Sequence, residues 1–354
     1  MKKMRYCLFI VVIVFVYSCN SKSAKQNEPE KPGVTFEKDA DAKTLEVWVD
    51  KQLLTTFRWS ENLTKPVFYP ILTADSYDVT RGFPIEPRAG ERADHPHQIG
   101  MWFTYGNVNG LDFWGNGSQG LGTTNLNGGV IKHLETSELK EGKGEGSFIS
   151  EESWQDTTGT EILHEKTEYH FIAQGENRII DRMTTLTAGE NDVQMPDTKE
   201  GMFGIRAARS LELPDNGNIL LYNEDGTTTR TRDTLNANIT GNYTSSEGVT
   251  GLEVWGTRAR WMRLQGKTDG ENISVIICDH PQNPNYPTYW HARGYGLFAA
   301  NPFGVKDFTN GAETFDFSIP AGQSATFRYR VIINSGEQLS IDKINQLADE
   351  FASE

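Results

Sequence analysis

The alternation of apolar and polar residues along the chain predicts a series of short β-strands. Residues 45–49 and 53–57 are short runs rich in apolar residues that flank Asp50-Lys51-Gln52, which is the pattern of a β-hairpin. Gly, Asn and Asp recur between the other apolar runs and mark turns. The same pattern predicts further strands at 66–72, 130–134, 146–154, 162–172, 178–186, 203–207, 219–222, 252–255, 259–264, 273–278, 295–300, 314–319 and 325–333.

Two of these strands carry more specific predictions. Pro70 lies within the strand at 66–72, and because proline cannot donate to a sheet, this strand is predicted at a sheet edge. In the strand at 178–186, Arg182 falls on one face and Asp181 on the other, since successive side chains of a strand alternate.

One C-terminal stretch predicts a helix. Ile344, Leu347 and Phe351 recur at helical spacing, and Ser340 is a suitable N-cap. Many strands, frequent glycine and little helix predict an all-β fold, a large antiparallel β-sandwich of the galactose mutarotase-like supersandwich kind with a short C-terminal helix. A β-propeller is the alternative, but the chain has no blade-length repeat.

The N-terminus predicts a lipoprotein leader. Three basic residues precede a short apolar run that ends just before Cys19, and the junction resembles a bacterial lipobox. Residues 1–18 are therefore predicted to be a signal peptide and Cys19 to be acylated, although an ordinary signal peptide or an anchor helix is the alternative. Residues 19–33 are predicted to be a disordered tether, and residues 34–354 a single β-sandwich domain. The predicted location is the periplasmic or cell-surface face of the outer membrane.

Charge and cysteine content limit the classes of binding partner and the number of free thiols that we expect. The formal net charge is −14, which argues against nucleic acid and against an anionic membrane face, so that membrane contact is expected through Cys19 only. Cys278 is the one thiol left after cleavage and acylation, and it is predicted to be an inert core residue. The chain has no nucleotide-binding motif, and its cofactor, if any, is unknown.

The segment from Cys278 to Gly304 is the richest in side chains that could take part in catalysis or binding. Prolines exclude a central strand or a helix interior over residues 281–287, so a loop between two core strands is predicted there. His280 and His291 in this stretch are candidate catalytic residues. The alternative is that its aromatic side chains only close one end of the sandwich.

A second stretch holds His95 and His97. In extended backbone a spacing of two places both imidazoles on one side, where they can share a substrate hydroxyl or a metal. A metal site needs at least a third ligand from elsewhere. Metal binding is therefore not favoured, and no metal ligand is assigned.

A third stretch contains Lys199, Glu200 and Arg206. A strand arginine in apolar surroundings needs a carboxylate partner or a bound anion, so Arg206 is either half of a structural ion pair or a substrate-facing cation. The predicted catalytic residues are His97, His280, His291, Glu200 and Arg206. The predicted substrate-binding residues are His95, Trp102, Asn109, Asp112, Trp114, Lys199, Tyr286, Tyr289, Trp290 and Arg293.

Six motifs together resemble a known family. They are DHPHQIGMWF, GNVNGLDFWG, DTKEGMFGIR, VWGTRARW, DHPQNPNYPTYWHARGYGLFAANPFG and FRYRVIIN. They are similar to the family labelled methane oxygenase PmoA, which is common in lipoproteins and secreted proteins of Bacteroidetes and Planctomycetes. The resemblance implies a setting of sugar oxidoreductases and glycan degradation, and it brings no catalytic residues with it. After the leader, the chain has no apolar stretch near bilayer length, so an integral membrane copper enzyme is not expected.

Three functions stay open from the sequence. The first is an enzyme that acts on a sugar or oligosaccharide through histidine acid/base chemistry, as in an epimerase, a mutarotase or a lyase. His280 or His291 would transfer the proton. Glu200 or Asp279 would be the opposite partner, and Arg206 or Arg293 would stabilise negative charge. The second is a noncatalytic glycan-binding lipoprotein. The third is a metal-dependent oxygenase, as the family label implies.

Overall fold

The computed structural model describes residue 1 and residues 31–115, 127–232 and 238–354. The predicted signal peptide, the acylation of Cys19 and most of the predicted tether lie outside these residues. The described part contains strands β1 to β23 and two α-helices. The first strands are β1 (Gly33–Asp39), β2 (Thr44–Val49), β3 (Gln52–Arg58), β4 (Val67–Ile71), β5 (Met101–Tyr105), β6 (Leu111–Asp112), β7 (Asn127–Gly128), β8 (Val130–Lys140), β9 (Gly142–Lys143), β10 (Glu145–Gln155), β11 (Glu161–Gln174) and β12 (Asn177–Ala188).

The second half continues in the same manner and ends in a helix. The remaining strands are β13 (Val193–Met195), β14 (Gly201–Arg206), β15 (Asn218–Tyr222), β16 (Thr228–Arg232), β17 (Asn242–Ser245), β18 (Trp261–Thr268), β19 (Glu271–Asp279), β20 (Tyr289–Ala292), β21 (Leu297–Asn301), β22 (Phe317–Ile319) and β23 (Ser324–Ser335). The α-helices are α1 (Val305–Phe308) and α2 (Ile341–Ala352). None of the described helices is both long enough and apolar enough to cross a membrane.

Two large sheets carry the fold. The nine-stranded sheet has the order β20-β21-β14-β5-β4-β3-β2-β1-β9, and the eight-stranded sheet has the order β17-β18-β19-β23-β12-β11-β10-β8. Every pairing within them is antiparallel. Apolar side chains from both sheets form one buried cluster between them. This confirms the predicted all-β class, an antiparallel β-sandwich with a short C-terminal helix.

Local chemistry explains several of the predicted elements. Asp50 and Lys51 both have positive φ, 48° and 67°, so the β2–β3 hairpin closes with the two-residue turn that suits strand twist. Ser340 caps α2 by accepting a hydrogen bond from the backbone N–H of Lys343 at 3.2 Å. Helix α2 then packs its apolar stripe on the outer face of the eight-stranded sheet, the face that points away from the other sheet.

Two strand predictions are wrong. β4 is not at an edge, because it lies between β3 and β5. Its pairing with β3 shifts register between Thr55 and Phe57, and this irregularity lets Pro70 sit in an interior strand. The stretch 252–255 is not a strand either, since Gly251–Val254 forms a 3₁₀ turn.

The nine-stranded sheet also has a covered outer face. Its residues Tyr69, Trp102 and Leu297 pack there against Ile99 and Trp114 from the segment that joins β4 to β7. This outer face, and not the core between the sheets, carries Trp102, Trp114 and His291 of the predicted site.

Candidate functional site

A row of four residues crosses the outer face of the nine-stranded sheet. His291 on β20 pairs with Ala299 on β21, Ala299 pairs with Gly204 on β14, and Gly204 pairs with Trp102 on β5. Residues directly opposite one another share a face, so an imidazole and an indole stand at the two ends of a floor made by Ala and Gly. A Cβ at Gly204 would lie 2.8 Å from the Trp102 indole, so only glycine lets the indole lie across the sheet.

Trp114 covers this row. Its ring centroid lies 5.2 Å from that of Trp102 and 6.5 Å from that of His291, and it is nearly parallel to the imidazole. Asp112 orients it, because one carboxylate oxygen accepts from the backbone N–H groups of Trp114 and Gly115 at 2.9 and 2.8 Å. The indole N–H groups of Trp102 and Trp114 are buried and have no hydrogen-bond partner among the described residues.

The loop with His95 and His97 is anchored to the same face by a buried ion-pair network. Asp94 Oδ1 accepts from Arg81 Nη1 at 2.9 Å and from Arg206 Nη2 at 2.6 Å, and both arginines are almost completely buried. Burial opposes ionisation of Asp94, but the charges of Arg206 and Arg81 and a hydrogen bond from His95 keep its pKa well below the usual range. Asp94 is therefore a permanent carboxylate that fixes the loop to β14.

Tyr295 connects the two histidine regions. The His95 ring stacks on it at 5.0 Å, and the Arg206 guanidinium lies 4.8 Å from the tyrosine ring centroid. The ring centroids of His95 and His97 are 5.7 Å apart. His95 is close enough for its charge to contribute to the lowered pKa of both His97 and His291. The sequence predicted that these two histidines share one site, and the structure brings them to the same face.

Both of these histidines are neutral at neutral pH. Burial, with the charges of Lys65 and His95, lowers the pKa of His97 to about 2. Burial, with the charge of Arg293, lowers that of His291 to about 3. His291 Nδ1 donates to the backbone carbonyl of Lys199 at 2.8 Å, which leaves its Nε2 as an acceptor.

Glu200 is a further carboxyl group of this region, beside Asp94 and Asp112. Burial raises its pKa, and the Lys199 ammonium, 3.2 Å away, only partly offsets that effect. Because the carbonyl of Lys199 also holds His291, one residue links the imidazole to the carboxyl. A carboxyl with a raised pKa, next to the residue that holds a neutral imidazole, is suited to proton transfer.

An open groove of about 510 Å³ leads to the histidine loop. His97 and Lys65 lie in its wall, and Lys65 also lies 3.4 Å from the Trp114 carbonyl oxygen and 5.9 Å from the Trp102 ring centroid. Burial lowers the pKa of Lys65 to about 7, although the charge of Asp112 opposes this. The remaining lining residues are Arg58, Ser60, Asn62, Leu63, Thr64, Pro84, Ile85, Pro96, Ile99 and Gly115.

The structure gathers most of the predicted residues, but not His280. The chain leaves the eight-stranded sheet at the end of β19 and enters the nine-stranded sheet at β20, so the loop between them crosses from one sheet to the other. His280 stays beside β19, where its ring packs edge-on against Phe351 of α2 and its Nδ1 accepts from the N–H of Gln282 at 3.1 Å. It lines a separate groove on the other sheet.

Five of the predicted substrate-binding residues make contacts with other parts of the protein and do not join this group. Trp290 lies in the core between the sheets and donates to the Ala259 carbonyl, because it alternates with His291 along β20. Tyr289 shares the face of His291 but stacks on Phe308. The others are Tyr286 in the crossing loop, Asn109 in an exposed turn bonded to residues 192 and 194, and Arg293, exposed over the Trp255 ring.

Sequence reasoning missed Lys65, Arg81 and Arg58. Lys65 lies beside a proline at the start of a strand, and nothing in the local pattern distinguishes a buried lysine from an exposed one. Among the described residues, no three His, Cys, Asp or Glu side chains are grouped so that they could hold a metal ion.

Comparisons with known proteins place the chain in a family and show distant structural similarity. Residues 44–349 match a family described as of unknown function, DUF6807. A search of curated proteins gives no match. The α-galactosidase from Lactobacillus brevis is similar at 10% identity and a TM-score of 0.38 over 90% of this chain, which spans 41% of that enzyme. The galactose 1-epimerase from Lactobacillus acidophilus NCFM is similar at 7% identity and a TM-score of 0.36, covering 87% of this chain and 100% of its own. At these scores the similarity bears on neither activity nor substrate.

Proposed function

The chain belongs to DUF6807, a family of unknown function, and from this premise we propose that it is a carbohydrate-active enzyme that transfers protons on a sugar. The observation that carries the proposal is the row of His291, Ala299, Gly204 and Trp102 on the outer face of the nine-stranded sheet. Trp114 covers this row, and the open groove that His97, Lys65 and Gly115 line is the space proposed to receive the sugar.

The roles of the side chains follow from their protonation. Glu200 is the proposed acid/base group, because burial raises its pKa toward the range in which a carboxyl can both take and return a proton. His97 and His291 are proposed as neutral hydrogen-bonding groups on substrate oxygens, since their lowered pKa values make them weak bases. Both terminal nitrogens of Arg206 donate within the protein, to Gln98 and to Asp94, so Arg206 is proposed as a positioning residue and not as a catalytic one.

The reaction class is proton transfer without a redox change. Glu200 removes a proton from the sugar. In mutarotation or epimerisation a proton returns to the same or a neighbouring atom, whereas in elimination a C–O bond breaks and the departing oxygen takes the proton. The walls of the groove suit a pyranose, because Ser60, Asn62 and Thr64 offer polar groups while Ile85 and Ile99 offer apolar contact. Trp102 and Trp114 are buried, so they shape the site and do not present an open stacking surface.

The cellular setting is proposed from the sequence alone. Acylation at Cys19 would attach the protein to the periplasmic or cell-surface face of the outer membrane. The resemblance to the PmoA-labelled family stays a prediction. A noncatalytic glycan-binding lipoprotein remains the second function, and the groove would serve it equally.

Proton exchange on sugars tests the proposal. The wild-type protein is incubated with a panel of aldoses and uronates in D₂O, and NMR records both anomeric exchange and deuterium incorporation at carbon. Glu200→Gln is expected to remove turnover, and His291→Gln to reduce it by at least about a hundredfold. His280→Gln is the matched control and is expected to retain turnover. Saturable sugar binding without any turnover would support the binding protein and overturn the enzyme.

A further inference from the structure

The groove has a charge pattern opposite to that of the chain. The protein carries a formal net charge of −14, yet the charged side chains that line the groove are Arg58 and Lys65, and its described lining includes no Asp or Glu. We propose that the groove binds the anionic group of an acidic saccharide, a carboxylate or a sulfate, with Arg58 as the residue that recognises it. This inference rests on the proposed function for the sugar and on Arg58 for the charge.

Contacts with Tyr69 hold the Arg58 side chain in a fixed orientation. Its Nε donates to the Tyr69 backbone carbonyl at 2.6 Å, and its guanidinium carbon lies 5.9 Å from the Tyr69 ring centroid. These contacts fix the plane of the guanidinium, and its two terminal amino groups have no hydrogen-bond partner among the described residues. Two parallel N–H donors on a fixed plane match the two oxygens of a carboxylate or sulfate.

Glu86 accepts from the Tyr69 hydroxyl at 3.3 Å, beyond the ring over which the Arg58 guanidinium lies, and it forms no ion pair with Arg58. No ion pair joins Arg58 to an acidic side chain in the described part of the chain. By comparison, Arg81, Arg88, Arg92 and Arg206, which lie on or near the same face, each have an acidic partner within hydrogen-bond distance. Arg58 is thus the arginine in the described lining of the groove, and its charge is not taken up by an ion pair there.

The place of Arg58 in the groove also defines the orientation of the ligand. Arg58 ends β3, whereas His97 lies in the histidine loop, and both line the same 510 Å³ space. A sugar whose anionic group pairs with Arg58 would direct its ring along the groove toward Lys65 and His97. Because a partly buried guanidinium prefers an anion to a hydroxyl, acidic sugars should bind more tightly than neutral sugars of the same shape.

Titration with matched sugars tests this inference. The probes are glucuronate against glucose, galacturonate against galactose, galactose 6-sulfate against galactose, and sodium sulfate alone. The Arg58 Nε–H signal, assigned from its loss in Arg58→Gln, reports binding by NMR. The acidic sugars are expected to bind the wild type at least about tenfold more tightly than the neutral ones, with affinity that falls as salt rises. The carboxylate and sulfate arms identify which group the site prefers.

Three variants make the test specific. Arg58→Gln should abolish the preference for acidic sugars, and Arg58→Lys should restore only part of it, because lysine keeps the charge but lacks the planar pair of donors. Arg230→Gln, at an exposed arginine on β16, is the matched control and should keep the preference. A preference that survives in Arg58→Gln, or an Arg58 signal that responds to no anionic probe, overturns the inference.

The experiments distinguish a failure of the anion site from a failure of the proposed enzymatic function. Sugar turnover that depends on Glu200 without any preference for acidic sugars would overturn the anion site alone. Anion binding through Arg58 without turnover of any sugar would support the anion site and overturn the enzyme.

Discussion

Arg206 Nη2 lies 2.6 Å from Asp94 Oδ1, and this hydrogen bond joins the nine-stranded sheet to the loop that carries His95 and His97. Asp94→Ala should destabilise the protein by about 3–5 kcal/mol, because it leaves the buried guanidinium groups of Arg206 and Arg81 without their shared carboxylate. Urea unfolding followed by fluorescence measures the loss. Turnover should fall as well, since the loop loses its anchor.

An exposed ion pair supplies the control for this change. Glu61 lies 2.7 Å from Lys43, and its side chain is 85% exposed. Glu61→Gln should barely change the urea midpoint, because solvent screens an exposed pair. Equal losses in the two variants would mean that Asp94 does not hold the loop through its buried partners.

The strands and the helix could be predicted from the sequence because they depend on local patterns. Arg182 and Asp181 fall on opposite faces of β12, as alternation requires, and Arg182 reaches the inter-sheet cluster while Asp181 pairs with Arg330 on the outer face. β4 was placed wrongly because the rule against proline in interior strands has an exception at irregular pairings. The sequence does not reveal where such an irregularity falls.

The site was predictable only in part, for a topological reason. His280 and His291 are close in sequence, but the chain crosses between sheets in the intervening loop, and proximity in sequence gave no sign of this. His97 and His291 are far apart in sequence, yet register across β5, β14, β21 and β20 brings their regions together. Arg58 and Lys65 carry no local motif, since their importance comes from the shape and charge of the groove they line.

Gly204 sets the shape of the floor beneath Trp102. Gly204→Ala should displace the indole, because the new Cβ would lie 2.8 Å from it, and overpacking of this kind costs about 1–3 kcal/mol. We expect a changed tryptophan emission spectrum and reduced sugar binding. Gly189→Ala is the control, since a Cβ there meets no atom within 4 Å. An unchanged spectrum and unchanged binding in Gly204→Ala would show that the floor tolerates a larger residue.

Ser340 begins helix α2 through one hydrogen bond. Ser340→Ala removes the acceptor for the N–H of Lys343 and should lower the free energy of unfolding by about 1 kcal/mol. Ser340→Asp should restore it, because aspartate is also a good N-cap and its charge favours a helix N-terminus. Thermal melting followed by circular dichroism measures both. Failure of aspartate to rescue the loss would point to a cause other than capping.

Glu152 makes the stability of the sandwich depend on pH. It lies directly opposite Glu165 in the β10–β11 pair, inside the core, and faces His133 on β8 and Arg182 on β12. Burial and the charge of Glu165 raise the pKa of Glu152 well above its ordinary 4.5, whereas burial lowers that of His133 to about 4. Glu165 already accepts from Arg182, so Glu152 has no cation of its own, and Glu152 and His133 form a neutral pair.

The sign of the effect follows from proton binding. An acid with a raised pKa in the folded state binds more protons there than in the unfolded state, so its contribution to stability is lost as pH rises above its ordinary pKa. Glutamine cannot ionise, and it mimics the protonated acid that the core holds. The free energy of unfolding of Glu152→Gln, relative to wild type, should therefore increase as the pH rises above the ordinary pKa of 4.5. Glu151→Gln, on the opposite face of β10 and partly exposed beside His164, is the matched control and should show no such increase. A Glu152→Gln difference that is flat or falls with pH would mean that Glu152 is ionised in the core, with Arg182 shared between the two carboxylates.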